Sequence, residues 1–426
     1  MPNLYPYQEE TVKFGIENKY CIYALDMGLG KSLVSLETAF RLGKKALVIC
    51  PAYLKLKWKA EVHKFYPDKV VSLFNSAKDI YKVWDTDVCI LPLSLLEHGE
   101  VLFEWAQIVI ADEATAFKEL KTKRTIDFHR MIYENSVERC LLLTGTPILN
   151  RVYEFYSLLA ICNYSPDIEE SAFLQKFPDY VTFANYFSYV EENLITRTTK
   201  KGKRKKVMVR QWEGVRNTEE LAKWIKPFYI RYEADKILDL PPEIEVKVPA
   251  SMDNNPELME DFMSFVNENE SANSRLKKES AIKKVPFTVE YVKGLHIEGV
   301  EQVVVYSDHV DSAKLIAKAL GVEPITGETP MWKRRELAEN FMAGKSKNIV
   351  ATIKSFSTGE DLMAANNMVF NDVPWIPGDL AQAKARIRRI GQKRRCIYHY
   401  ILGTLQDEAI LSALDRKTKT INEVIK

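Results

Sequence analysis

Cys21-Ile22-Tyr23-Ala24-Leu25-Asp26-Met27-Gly28-Leu29-Gly30-Lys31-Ser32 runs from an apolar stretch through a glycine-rich turn into the start of a helical pattern. Strand, turn and helix in this order make a phosphate cradle, because N–H groups at a helix N-terminus face an anion and a lysine beside them neutralises it. The backbone from Gly28 to Lys31, with Met27 and Leu29 as loop members, is therefore expected to hold nucleotide phosphates. The Lys31 ammonium would reach the β and γ groups, and the Ser32 hydroxyl would ligate magnesium. Leu25 stands where the general pattern has its first glycine.

Outward from that stretch, short apolar runs recur with helix-like segments between them, the pattern of parallel strands in an α/β protein. Strands are predicted at residues 21–25, 46–50, 88–91, 108–111 and 140–143, and a second series at 303–306, 348–353, 368–370 and 397–400. Two open parallel sheets follow, each with its ligand crevice at the carboxyl ends of its strands. A length of 426 residues suits two domains. Pro241-Pro242 stops any helix and marks the boundary region. The expected domains are residues 1–235, with a helical insertion at about 160–230 followed by a linker, and residues 236–426, ending in a helix from Leu405 whose apolar stripe is Ile410, Leu411 and Leu414.

Sixty basic against fifty-eight acidic residues leave a net charge of +2, so a nucleic-acid role cannot rest on net charge, only on where the charge sits. One concentration stands out: seven of the eleven residues from Lys200 to Arg210 are basic, either a solvated loop or a track for a phosphate backbone. The six cysteines form no Cys-x-x-Cys unit, which excludes the usual zinc frameworks and points to a reducing, intracellular compartment. No apolar run has membrane-spanning length and Met1-Pro2-Asn3-Leu4 starts no signal peptide, so a soluble cytoplasmic protein, or a nuclear one in a eukaryote, is expected.

Chemistry beyond phosphate binding comes from Ile108-Val109-Ile110-Ala111-Asp112-Glu113, which puts two carboxylates just past an apolar strand, expected beside the phosphate loop. Asp112 would hold magnesium through water, and Glu113 would orient an attacking water. Far downstream, Gln382-Ala383-Lys384-Ala385-Arg386-Ile387-Arg388-Arg389-Ile390-Gly391-Gln392 carries two arginines three apart, Arg386 and Arg389, suited to stabilising a phosphoryl-transfer transition state. The two halves of the chain would then meet at one ATP.

In this order the motifs resemble helicase superfamily two, and within it the Swi/Snf-like family of double-stranded-DNA translocases, over nearly the whole length. The resemblance implies two RecA-like doubly wound lobes, ATP and magnesium as ligands, and duplex or forked DNA as partner, with the protein acting as a monomer. Leu4-Tyr5-Pro6-Tyr7-Gln8 looks like the family's adenine-reading segment, with Gln8 as the base-specific residue. Asp112-Glu113-Ala114-Thr115 has threonine where the family usually has histidine. Leu143-Thr144-Gly145-Thr146-Pro147-Ile148-Leu149-Asn150 is similar to the segment that links ATP state to DNA grip. Gly359 and Asp361 lie in the fifth motif and are implied at the nucleotide, and Arg386 and Arg389 correspond to arginine fingers.

DNA contacts are implied at Ala52, Lys55 and Trp58, at Ser94, at Thr144, Thr146 and Asn150, and in the second half at Ser307, Thr326, Gly327, Thr352, Lys354 and Trp375. A core-facing Trp58 is the competing reading for that residue. The form Trp375-Ile376-Pro377-Gly378 leans toward the fork-remodelling, annealing-helicase branch. Ala385 stands where the family has an acidic residue and Arg388 where it usually has histidine, which suggests a DNA-facing Arg388. The function implied is an ATP-driven translocase on duplex DNA that remodels forks, branched DNA or protein-DNA complexes. A strand-separating DNA or RNA helicase and a non-catalytic DNA-binding scaffold remain as alternatives.

Overall fold

A computed structural model describes residues 2–145, 151–164, 171–198, 204–250, 270–356 and 361–424. The chain divides into two compact units, one of residues 1–188, 214–238 and 421–426, the other of residues 189–213 and 239–420.

In the first unit, helix α1 (Pro6–Glu17) precedes β1 (Tyr20–Leu25), α2 (Lys31–Arg41), β2 (Ala46–Cys50) and α3 (Lys55–Phe65). Then come β3 (Val71–Leu73), β4 (Val88–Pro92), β5 (Ile108–Ala111), β6 (Cys140–Thr144) and, much later, β9 (Tyr229–Tyr232). All pair in parallel in the order β3-β4-β2-β5-β6-β1-β9. β2, β4, β5 and β6 are buried at every position, which is why they read as unbroken apolar runs: helices cover both faces of such a sheet. The order corrects one expectation, because β6 lies between β1 and β5, and the Asp112-Glu113 strand is not the neighbour of the phosphate-loop strand.

The second unit pairs β10 (Glu243–Pro249), β11 (Val303–Ser307), β12 (Pro324–Ile325), β13 (Asn348–Thr352), β14 (Asn367–Phe370) and β15 (Cys396–Leu402) in the order β10-β15-β14-β11-β13-β12, again all parallel. Val303, Val304 and Val305 are fully buried and pack with Ile316, Val350, Val369 and Phe341 on its two faces. The C-terminal helix (Leu405–Val424) buries Ile410, Leu411 and Leu414 in this core, as its stripe implies.

The segment expected to be a helical insertion is only partly so. Helices Ala172–Lys176 and Tyr180–Phe187 pack Phe173, Phe177, Phe183 and Phe187 into an aromatic cluster with Trp224. Within the same segment, however, β7 (Tyr189–Thr198) and β8 (Arg204–Glu213) form an antiparallel pair. Ile195-Thr196-Arg197-Thr198 and Val207-Met208-Val209 supply the β-branched residues that favour strands over helix there. Of the basic run, 200–203 fall outside the described residues and 204–206 open β8. The expected linker is likewise structured where described, as β10 and the helix Glu270–Ile297. No helix among the described residues is long and apolar enough to cross a membrane, and the six cysteines are buried.

Candidate functional site

The phosphate loop connects β1 to α2 in a conformation that only glycine adopts readily. Gly28 and Gly30 have φ of +84° and +83°. Gly30 is also tightly approached, since a Cβ there would lie 2.6 Å from Gln8 Nε2. That amide donates to Leu29 O at 3.2 Å, the Tyr7 hydroxyl donates to the same carbonyl at 3.1 Å, and Gln8 Oε1 accepts from Tyr5 N at 3.0 Å. Gln8, expected at the adenine, therefore braces the loop and caps α1. At the other end of the loop, Asp26 Oδ2 accepts from Ala234 N at 3.0 Å just past β9. The N-cap of α2 is Gly30, which has no side chain to satisfy the helix's first N–H groups.

Lys31 Nζ donates to Leu25 O at 2.8 Å and reaches Asp26 O at 3.4 Å. Burial pushes its ammonium pKa down, while the carboxylates of Glu113, Asp112 and Asp26 act against that shift. Although β5 and β1 are not neighbours, their carboxyl ends thus bring lysine and carboxylates into one electrostatic group. The backbone after β6 closes the gap: a Cβ on Gly145 would sit 3.3 Å from Lys31 Nζ.

Asp112 is buried and extends β5, its N–H bonding to Ile49 O at 2.8 Å. One carboxylate oxygen accepts from Glu113 N at 3.0 Å and the other from Trp58 Nε1 at 2.8 Å. Desolvation raises the Asp112 pKa, and the Trp58 hydrogen bond, followed by the charge of Lys31, opposes it. Glu113 has φ 52° and ψ 52°, a left-handed backbone rare for a side-chain-bearing residue and typical of strain kept at a working site. Thr115 is buried in the turn Ala114–Phe117 that follows. Uncapped helix N–H groups and a lysine suit a polyphosphate, and the oxygen donors Ser32 and Asp112 suit the hard divalent cation that would travel with it.

The expected DNA contacts divide by exposure. Ala52, at the end of β2, and Ser94, at the end of β4, are exposed, and the Lys55 ammonium binds Asn75 Oδ1. Trp58 is 2% exposed and faces Asp112, so the core-facing reading replaces the DNA contact. Thr144 is fully buried within β6. Thr146, Asn150 and Gly359 lie outside the described residues, as does the Lys354 side chain.

In the second unit Ser307 is fully buried and its hydroxyl binds Asp372. Thr352 is buried with its hydroxyl on Ser355 Oγ at 2.8 Å, and Thr326 is buried with its hydroxyl accepting from Glu328 N at 3.3 Å. These three hydroxyls brace strand ends instead of presenting themselves to DNA. Gly327 and Trp375 are exposed, with Lys277 Nζ 5.4 Å from the Trp375 ring centre. Arg334 gathers the surrounding loops, donating to the carbonyls of Thr329 at 2.7 Å, Ser355 at 2.8 Å and Gly327 at 3.0 Å.

Of the arginines, Arg386 is 5% exposed, and Arg389 pairs with Asp361, so two residues assigned to the nucleotide bind each other. Arg388, suggested as DNA-facing, has contacts within its own unit: its Nε donates to Pro241 O at 2.8 Å and Glu243 lies 3.6 Å from Nη1. Asp308, His309 and Asp372 present ligand atoms within 4.8 Å of one another, yet Lys277 already bonds Asp308 at 2.8 Å and supplies that cluster's positive charge. Sequence reasoning missed the Trp58–Asp112 bond, the Asp26 contact and the threefold grip of Arg334. A tryptophan otherwise sunk in a core does give one signal, since its N–H must find an acceptor.

Comparison with known proteins bears on the whole chain. The mouse protein named DNA annealing helicase and endonuclease ZRANB3 is 25% identical over 466 residues, covering 99% of this chain and 41% of its own length. The SWI/SNF-related matrix-associated actin-dependent regulator of chromatin subfamily A-like protein 1 homolog of Caenorhabditis elegans is 25% identical, covering 99% of this chain and 62% of its own. The chain thus spans between two fifths and two thirds of the length of these relatives. A solved Sulfolobus solfataricus SWI2/SNF2 ATPase core in complex with dsDNA aligns over 100% of this chain and 97% of its own, at 23% identity and a TM-score of 0.45. Residues 7–290 match the SNF2-related domain and residues 283–391 the helicase conserved C-terminal domain. With the first match taking in well over half of the sequence and the second beginning within its last residues, the chain belongs to the SNF2-related family.

Proposed function

We propose that the protein is a DNA-dependent ATPase that moves on duplex DNA and remodels forks, branched DNA or protein-DNA complexes. The observation that carries the reading is the convergence of Lys31, Asp112 and Glu113 beyond a glycine loop whose helix N–H groups lack a side-chain cap. The names of the annealing-helicase relatives and the exposed Trp375 in the stretch Trp375-Ile376-Pro377-Gly378 support the fork-remodelling direction.

ATP is the substrate. The N–H groups of Gly28 to Lys31 hold its phosphates, with Lys31 exchanging its carbonyl contacts at Leu25 and Asp26 for the β and γ oxygens. Ser32 and Asp112 would hold magnesium, which when bound neutralises charge on the phosphate oxygens. Glu113 orients a water and takes its proton as the water oxygen bonds to the γ-phosphorus. The bond from the γ-phosphorus to the bridging oxygen breaks with its electron pair going to ADP.

The test is ATP turnover by wild type and Glu113→Gln with no nucleic acid, single-stranded DNA, duplex DNA, forked DNA and RNA. Duplex or fork stimulation, abolished in Glu113→Gln while ATP still binds, is expected. Stimulation by single strands or RNA alone would replace the reading with a strand-separating helicase, and absence of turnover on every substrate with a scaffold.

A further inference from the structure

Trp58 sits one turn into α3, three residues after Lys55, and with Val62 it forms the buried side of that helix. Its indole belongs to the buried core cluster that also holds Val48, Cys50, Val62 and Ile90. The ring does more than fill space, because its N–H points at Asp112 Oδ2 at 2.8 Å within the buried interior. Indole nitrogen donates and cannot accept. The bond therefore fixes one face of the carboxylate as an acceptor, while Glu113 N fixes the other oxygen at 3.0 Å. Each oxygen keeps a further lone-pair direction. A carboxylate in a metal shell is oriented in this way by donors that do not themselves touch the metal.

We infer that Trp58 is a positioning residue for the ATP site, its indole N–H holding the Asp112 carboxylate in the orientation that receives magnesium with the nucleotide. The inference rests on the ATPase reading above and adds to it a residue from a different helix. Trp58 touches neither nucleotide nor metal in this role; it acts through Asp112.

Two substitutions separate hydrogen bonding from packing because they rank oppositely. Trp58→Phe keeps most of the ring volume and loses the donor. Trp58→His loses more volume and keeps a ring N–H. A donor role makes Phe the worse replacement and a packing role makes His the worse.

The measurement is binding of a fluorescent ATP analogue to the full chain, titrated with magnesium and repeated in its absence, alongside a thermal melt. Nucleotide affinity without magnesium should be unchanged in both variants. The magnesium concentration for half-maximal tight binding should rise by about 10–100-fold in Trp58→Phe, the usual effect of removing an outer-shell partner, and by less in Trp58→His. A normal magnesium response in Trp58→Phe, or a larger shift in Trp58→His than in Trp58→Phe, overturns the inference. Absence of ATP turnover by the wild-type chain with every nucleic acid would instead sink the ATPase reading, whatever Trp58 does.

Discussion

Gln8 and Gly30 are in such close register that the Gln8 amide occupies the space a Cβ on Gly30 would need, 2.6 Å from Nε2. Gly30 also has φ of +83°, where an L side chain costs about 1–2 kcal/mol by itself. Gly30→Ala must therefore displace Gln8 from the Leu29 carbonyl as well as strain the loop. ATP affinity should fall by at least about tenfold, which corresponds to about 1.4 kcal/mol, while a thermal melt shows the fold retained. Wild-type affinity in a titration with labelled ATP would refute this account of the loop.

Arg334 spends its guanidinium on three backbone carbonyls, at Gly327, Thr329 and Ser355. Lysine cannot reproduce that fork. If these loops grip DNA, Arg334→Lys should weaken duplex binding by about tenfold through loss of charge-assisted hydrogen bonds, each worth about 1.5–3 kcal/mol. Because Arg334 neutralises no phosphate in this arrangement, the charge-removing Arg334→Gln should leave the slope of log affinity against log salt unchanged. A slope reduced by about one would place the side chain on the DNA instead.

Lys284 is fully buried and bonds Asp407 at 2.8 Å and the Ile401 carbonyl at 3.1 Å. Asp407 in turn accepts from Gly403 N and Thr404 N, which secures the start of the C-terminal helix. Lys284→Met leaves a buried carboxylate without its cation and should cost about 3–5 kcal/mol. Adding Asp407→Asn to it should cost less than the sum of the two single losses in denaturant unfolding; strict additivity would show that the pair is not coupled.

His399 lies between Tyr291 OH at 3.0 Å and Asn367 Oδ1 at 2.9 Å, 5% exposed and with no carboxylate bonded to its ring among the described residues. Burial pushes its pKa down to about 4 from an ordinary 6.5. The folded protein refuses a proton that the unfolded chain accepts. Stability is thus fully present above pH 6.5 and is lost as pH falls toward 4, by on the order of 2 kcal/mol between pH 7 and 5. His399→Gln should flatten unfolding free energy against pH in that window, and an unaltered profile would remove His399 as its source.

What could be read from the sequence tracks what is buried on both sides. Ala46–Cys50 and Val303–Ser307 are covered on both faces and spell themselves as apolar runs. Glu243–Pro249 is an edge strand, largely exposed, whose Glu-Ile-Glu-Val-Lys-Val has no such run, and Tyr229–Tyr232 is only partly buried throughout. The glycine loop and the Asp112-Glu113 pair were legible because their chemistry is local in sequence. Trp58 was not, because its partner lies 54 positions away on another element. Hydroxyls misled in one direction: Ser307, Thr326 and Thr352 end strands where DNA contacts were expected, but there they tie down their own turns.

The phosphate-loop strand is made before both strands that flank it and is among the last in its sheet to be enclosed. β1 spans residues 20–25, yet its two neighbours are β6, at 140–144, and β9, at 229–232. A nascent chain interrupted between them leaves one edge of β1 with unmet N–H and C=O groups, the kind of edge that recruits foreign strands. Asp26 finds Ala234 N only two residues after β9 ends. During synthesis, a settled nucleotide loop therefore reports that the first unit has been made through residue 234, and premature termination before residue 229 yields an adhesive fragment instead of a weak enzyme.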